Sequence, residues 1–313
     1  IVPNAGPVAG GTTVVLTGTN LTGATAVSFG GTPATSFTID SDTQITAVAP
    51  AESAGTVTVT VTTAGGISNG VSFTYVAEPT LTTIAPDAGP VAGGTTVVLT
   101  GTNLTGATGV SFGGTPASSF TIDSATQITA VAPAGAAGTV SVTVTTAGGT
   151  SNGVSYTYVA VPTLSSIAPN AGPVTGGTTV VLTGTALTGA TAVDFGATPA
   201  TSFAVDSATQ ITAVAPAGSA GTVSVTVTTV GGTSNGVSYT YAAVPTLTTV
   251  APNAGPVTGG TTVVLTGTNL TGATAVNFGA TPATSFTVDS ATQITAVTPA
   301  DAAGTVTVTV TTA

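Results

Sequence analysis

The sequence predicts an all-β protein made of tandem β-sandwich modules. Three observations carry that expectation: an 83-residue internal repeat, apolar residues alternating with threonine, and turn residues at short spacing. The repeat is the strongest of the three. Pro3-Asn4-Ala5-Gly6-Pro7 returns, with at most one change, at Pro86, Pro169 and Pro252. Gly10-Gly11 returns as Gly93-Gly94, Gly176-Gly177 and Gly259-Gly260. Between the first two units only 13 of 83 positions differ, among them Asn4/Asp87, Asp42/Ala125 and Phe73/Tyr156. Four such units would take 332 residues and 313 are present, the missing stretch matching Gly65 to Thr83. Modules are therefore expected at 1–78, 79–161, 162–244 and 245–313, the first lacking its opening strand and the last its closing strand. The chain reads as a window on a longer array or as a processed product. A unit of this length fits an autonomous domain better than a solenoid repeat.

The second module shows the elements in order. Leu81 to Ile84 opens it, and Thr95 to Thr100 follows with Val97 and Leu99 on one face. Val110-Ser111-Phe112 ends at Gly113-Gly114, and Ser119 to Asp123 puts Phe120 and Ile122 on one face. Thr126 to Val131 stops before Pro133. Thr139 to Thr146 alternates Val140, Val142 and Val144 with Thr and Ser, and Val154 to Tyr158 alternates again. Period-2 patterning argues for half-buried antiparallel strands with Thr outward, and β-branched residues suit them. Asn152-Gly153 reads as a turn or a bulge ahead of the last strand. Seven short strands in about 80–100 residues are the mark of an immunoglobulin-like sandwich. The linkers are short and contain proline, as from Tyr75 to Pro79, so the array is expected to form a stiff or gently twisted linear rod.

Composition narrows the chemistry. The chain has no Lys, Arg, His, Cys, Met or Trp, and its ten Asp and Glu leave a net charge of −10. Without His or Cys the common metal ligands and nucleophile–base pairs are missing, and without Lys there is no Schiff base or Lys–Asn crosslink. Without cationic side chains nothing clamps phosphate or a nucleic-acid backbone. The expectation is a non-enzyme with no cofactor, no metal and no nucleic-acid partner. Hydrophobic residues make up 42% of the chain, but they alternate with Thr. No run approaches the roughly 20 apolar residues of a spanning helix, so membrane insertion is not expected. Low charge and the lack of trypsin sites suit an extracellular, cell-surface or secreted setting.

The string Pro86-Asp87-Ala88-Gly89-Pro90-Val91-Ala92-Gly93-Gly94-Thr95, then Val98-Leu99-Thr100-Gly101-Thr102-Asn103-Leu104, then Val110-Ser111-Phe112-Gly113-Gly114, resembles the IPT/TIG family. Ile128, Pro133, Gly138-Thr139-Val140 and Tyr156-Thr157-Tyr158 fit the same pattern, and the likeness runs through essentially the whole chain. The resemblance implies an immunoglobulin-like fold, and in bacteria a tandem module of secreted and surface proteins. It brings no catalytic motif, and the absence of basic residues departs from the family's DNA-contacting branch.

Asp40, Asp123, Asp206 and Asp289 recur in every module. Calcium wants several carboxylates together, whereas Asp-Ser-Asp-Thr in module one becomes Asp-Ser-Ala-Thr in the others. A turn role, with the carboxylate bonding nearby backbone amides, is therefore expected. Gly10, Gly11, Gly93, Gly94, Gly176, Gly177, Gly259 and Gly260 are expected at positive-φ or close-approach turn positions. Asn20-Leu21-Thr22, Asn103-Leu104-Thr105 and Asn269-Leu270-Thr271 match the N-glycosylation sequon, but Ala186 breaks it in module three. Thr56-Val57-Thr58-Val59-Thr60-Val61-Thr62 gives a hydroxyl row, read as a solvated strand face. Together these features predict the structural shaft of a surface filament, stalk or adhesin, self-associating into fibres because no lysine guards the strand edges. Any ligand would be held at a tip outside this segment. The alternatives are an array binding glycan, ice or a partner protein, and a spacer within a large secreted enzyme.

Overall fold

The computed structural model describes residues 1–312, all strand and loop with no helix. In the second module Thr80–Ala85, Thr96–Thr102, Gln127–Val131 and Ser119–Ser124 form one antiparallel sheet in that order. Ala88–Pro90, Val154–Val159, Gly138–Thr146, Gly109–Phe112 and Thr115–Pro116 form the other, with Gly149–Thr150 folded back on Gly138–Thr146. Two facing sheets with these neighbours are the immunoglobulin-like arrangement. The third module repeats it strand for strand.

All seven expected strands are present, and three short ones were not anticipated: Ala88–Pro90, Thr115–Pro116 and Gly149–Thr150. The first is the informative case. The opening run serves both sheets. Thr80–Ala85 pairs antiparallel with Thr96–Thr102, and after the cis Ala85–Pro86 peptide Ala88–Pro90 pairs parallel with Thr157–Val159. A three-residue strand containing Gly and Pro has no alternation to read. Its partner about seventy positions away creates it.

The core is a product of register. Val97 faces Ala130 and Leu99 faces Ile128 across one sheet, and all four are fully buried. Val110, Phe112, Val142, Val144, Tyr156 and Tyr158 meet them from the other sheet. Phe112 and Tyr156 pack edge to face at 5.3 Å, as do Tyr156 and Tyr158 at 5.1 Å. Such pairs add about 0.5–1.5 kcal/mol beyond their buried area. In the first module the opening strand is reduced to a bridge between Val2 and Val15. In the fourth, Val308–Thr312 pairs with Ala273–Phe278 at the edge of a three-stranded sheet, and the core centres on Leu265, Phe278 and Ile294.

Candidate functional site

The glycine pairs lie at a tight reversal. Gly93 has φ +75°, and its N–H donates to Pro90 O at 2.9 Å while that of Gly94 donates to Ala132 O at 2.9 Å. A Cβ on Gly93 would fall 2.5 Å from the Pro133 carbonyl carbon, whereas one on Gly94 would meet open space. Gly10, Gly176 and Gly259 press on Pro50, Pro216 and Pro299 in the same way, and Gly11, Gly177 and Gly260 share the positive φ of Gly94.

The recurring aspartates bond differently from expectation. Asp40, Asp123, Asp206 and Asp289 each sit at a bulge in a sheet-edge strand. Their Oδ2 atoms accept from the hydroxyls of Thr46, Thr129, Thr212 and Thr295 on the neighbouring strand, each at 2.7 Å. The turn amide expected to bond the carboxylate goes instead to the next residue: Thr126 N–H donates to Ser124 Oγ at 3.1 Å. The bulge points the carboxylate across the strand, and only the serine hydroxyl is close enough to close the turn. Among the described residues no three acidic side chains cluster as a metal site would require.

The sequon asparagines have a structural task. Asn103 adopts φ 57°, as do Asn20 and Asn269, and this left-handed residue turns the chain so that Leu104 enters the core fully buried. Asn103 Nδ2, the atom a sugar would occupy, donates to the carbonyl of Glu78 in the linker at 2.9 Å. Asn269 Nδ2 donates likewise to Val244 O at 3.2 Å. In the third module the left-handed position is taken by Ala186, at φ 54°.

The linker is held from a second side. A Cβ on Gly148 would lie 2.3 Å from Ala77 O, so only glycine admits the incoming chain there. Thr146 beside it is buried, and its Oγ1 accepts from Gly148 N–H at 3.0 Å. Beyond the linker, Asn152 grips the opening strand with both ends of its amide. Oδ1 accepts from Leu81 N–H at 2.9 Å and Nδ2 donates to Leu81 O at 2.8 Å. Asn235 holds Leu164 in the same way at 3.0 and 2.9 Å. Sequence reasoning placed Asn152 only in a turn or bulge. The 71-residue separation from Leu81 left no local signal.

Two surfaces remain. Outward threonines pair across strands: Thr56 of the hydroxyl row bonds Thr74 on the neighbouring strand at 3.0 Å, its equivalent Thr139 bonds Thr157 at 3.1 Å, and on the other sheet Thr80 bonds Thr102 at 2.7 Å. The edge strands Ser36–Ser41, Ser119–Ser124 and Ser202–Ser207 leave Ile39, Ile122, Phe203 and Val205 more than a third exposed. A groove of about 730 Å³ in the fourth module is lined by Leu247, Val263, Phe278 and Val308. It is the bed on which the closing strand lies in the other three modules, so the fold itself accounts for its apolar wall.

The IPT/TIG domain model matches residues 1–75, 79–158, 162–241 and 245–313. No curated protein matches the chain. Among solved structures, the extracellular region of plexin A4 is similar over 97% of this chain and 34% of its own, at 20% identity and a TM-score of 0.38. The Escherichia coli adhesin FdeC is similar over 77% of this chain and 95% of its own, at 21% identity and a TM-score of 0.32. SGBP-B, from a xyloglucan utilization locus of Bacteroides uniformis, is similar over 60% and 56%, at 22% identity and a TM-score of 0.27. The chain thus spans about a third of the plexin chain and just over half of SGBP-B. At these TM-scores the likenesses say nothing of what this chain does.

Proposed function

The chain belongs to the IPT/TIG domain family, four times in tandem, and from that premise we propose that it is a non-catalytic shaft segment of an extracellular bacterial surface filament, stalk or adhesin. The observation that supports this most is the clamped junction between near-identical modules. Ala77 lies against Gly148 and Glu78 O is bonded to Asn103, so the linker is fastened to the module it enters. A fastened linker holds the first two modules at a fixed spacing, and near-identical modules add length without adding new recognition surfaces. Any ligand is then recognised by a tip outside this segment. Self-association belongs to the same reading. The apolar edge strands recur every 83 residues and carry Asp but no Lys, so they offer a row of weak contacts to a second chain.

The test is small-angle scattering and electron microscopy of the 313-residue chain beside a shortened chain of residues 79–244. A shaft gives a maximum dimension that grows in proportion to module number, and antibody labelling places it outside the cell. Particles whose length does not follow module number, or material retained inside the cell, would overturn the proposal.

A further inference from the structure

Asn152-Gly153 and Asn235-Gly236 combine two residues that the fold requires for separate reasons. The asparagine is needed for its amide. That of Asn152 accepts from Leu81 N–H at 2.9 Å and donates to Leu81 O at 2.8 Å, and that of Asn235 holds Leu164 at 3.0 and 2.9 Å. The glycine is needed for space. A Cβ on Gly153 would fall 1.8 Å from Ser141 Oγ and 3.2 Å from Ser141 Cβ, and one on Gly236 would fall 1.7 and 3.1 Å from the same atoms of Ser224. Side by side, the two residues form a reactive pair. With no Cβ in the way, a glycine nitrogen reaches the side-chain Cγ of a preceding asparagine more readily than any other residue's nitrogen does. Both asparagines are exposed, so water and hydroxide reach them. What sets them apart from a free peptide is restraint. Each amide is tied at both ends to an opening strand. The backbone carbonyl of Asn152 also accepts from Ser151 Oγ at 2.7 Å, and that of Asn235 from Ser234 Oγ at 2.7 Å.

We infer that Asn152 and Asn235 are hydrolytic self-modification sites, closed while the opening strand of their module is docked and open when it detaches. Released from Leu81, the Asn152 side chain can turn its Cγ toward Gly153 N. Hydroxide removes the Gly153 amide proton, and the nitrogen bonds to Cγ. The Cγ–Nδ2 bond breaks, and Nδ2 leaves as ammonia after taking a proton from water, which restores the hydroxide. One water then opens the cyclic imide at either carbonyl, giving aspartate or isoaspartate. The sum is asparagine plus water to aspartate plus ammonia, and water is the only co-reactant. The product does not restore the grip. A carboxylate still accepts from Leu81 N–H, but its second oxygen stands where Nδ2 donated to Leu81 O. Isoaspartate also adds a methylene to the main chain just ahead of the strand Val154–Val159. A reversible detachment is thereby made permanent, one module at a time. Every contact involved lies within a single module, so the inference stands whether or not the chain is a surface shaft.

The test follows deamidation at each site by mass spectrometry of the full chain held in warm, mildly alkaline buffer. Brief chymotrypsin digestion at mildly acidic pH cuts after Tyr156 and Tyr239, and the preceding peptides are told apart by Ala147 and Val230. In the folded chain both sites are expected to react about thirty-fold more slowly than in urea, the restraint that two hydrogen bonds together supply. Leu81→Ala weakens the opening strand but keeps the backbone groups that Asn152 bonds, so it should speed Asn152 several-fold while Asn235 in the same molecule keeps its rate. Ile128→Ala weakens the same core from two strands away and should speed Asn152 less. Asn152→Asp supplies the product directly and should lower the calorimetric midpoint of the second module alone. Equal rates in the folded chain and in urea would overturn the inference. So would an Asn152 rate unmoved by Leu81→Ala, one raised as much by Ile128→Ala, or an Asn152→Asp chain that melts like the parent. Circular dichroism checks the fold of each variant, and if Leu81→Ala unfolds its module, the comparison with urea and the Asn152→Asp melt decide between them.

Discussion

Replacing Asn152 by alanine tests the link that ties each module's opening strand to the rest of its sandwich. The amide makes two bonds to the Leu81 backbone, at 2.9 and 2.8 Å, beside a leucine side chain only 4% exposed. A buried donor or acceptor left without a partner costs about 1–3 kcal/mol, and with two groups in a half-buried place the loss comes to about 2–4 kcal/mol. Set against the roughly 4–12 kcal/mol that stabilises a domain of this size, that is a large fraction. At about 4–8 °C per kcal/mol it lowers the unfolding midpoint of the second module by roughly 8–32 °C. Calorimetry of the full chain should show one component moving down for Asn152→Ala and two for Asn152→Ala with Asn235→Ala. If Asn152→Ala costs under about 1 kcal/mol, the two-ended grip is not what fixes the opening strand.

Further outcomes follow from the same geometry. Tyr156 and Tyr239 bury hydroxyls without a partner where the first module has Phe73, so Tyr156→Phe should be neutral or stabilise by about 1 kcal/mol, measured by thermal melting. Tyr158→Phe, two residues on, loses the 2.9 Å bond to Pro133 O and should destabilise by about 1 kcal/mol. Gly93→Ala puts a methyl group against the Pro133 backbone and should cost well over 2 kcal/mol, whereas Gly94→Ala meets open space and should cost about 1 kcal/mol for its positive φ alone. Burial, and secondarily the neighbouring tyrosine, raises the Tyr158 and Tyr241 phenols above their ordinary value; the unfolded chain therefore ionises first, and stability should fall as pH rises through about 10 in a base titration. Lysine at Thr38, Thr121, Ala204 and Thr287 together, on the four edge strands, should suppress concentration-dependent association in sedimentation experiments; association unchanged by four edge lysines would remove the edge strands as the contact.

Much of the fold was legible because its signals are local. Val140, Val142 and Val144 alternate with Thr and Ser, and every strand long enough to alternate was read. The short strands were not, because Ala88–Pro90 is a strand only by virtue of pairing with Thr157–Val159. The contacts at the module junctions were harder still. Asn103 reads as part of a sequon and Asn152 as a turn residue, since neither sequence neighbourhood reveals the Glu78 carbonyl or the Leu81 backbone as partner. Asp123 shows the limit from the other side. The residue type suggested backbone capping, but one extra residue in the edge strand carried the carboxylate to Thr129 and left the capping to Ser124. The repeat offered one usable clue to the linker contact: position 103 is Asn in three modules at a left-handed φ and Ala in one.

The absence of cationic side chains shifts the work of surface cohesion to hydroxyls. Elsewhere a sheet's outer face carries opposite-charge pairs. Here Thr139 and Thr157, Thr145 and Thr150, and Thr80 and Thr102 bond one another across strands at 2.7–3.1 Å. Neutral pairs are not weakened by salt, whereas repulsion among ten carboxylates is. Added salt should therefore leave the module faces intact and relieve the only long-range electrostatic term the chain has, which is repulsive. The same reasoning sets the direction of association: between chains of like charge, screening the repulsion brings the apolar edge strands closer together. A chain of this composition should thus gain stability and associate more readily as ionic strength rises. An array held by surface ion pairs would lose stability under the same change.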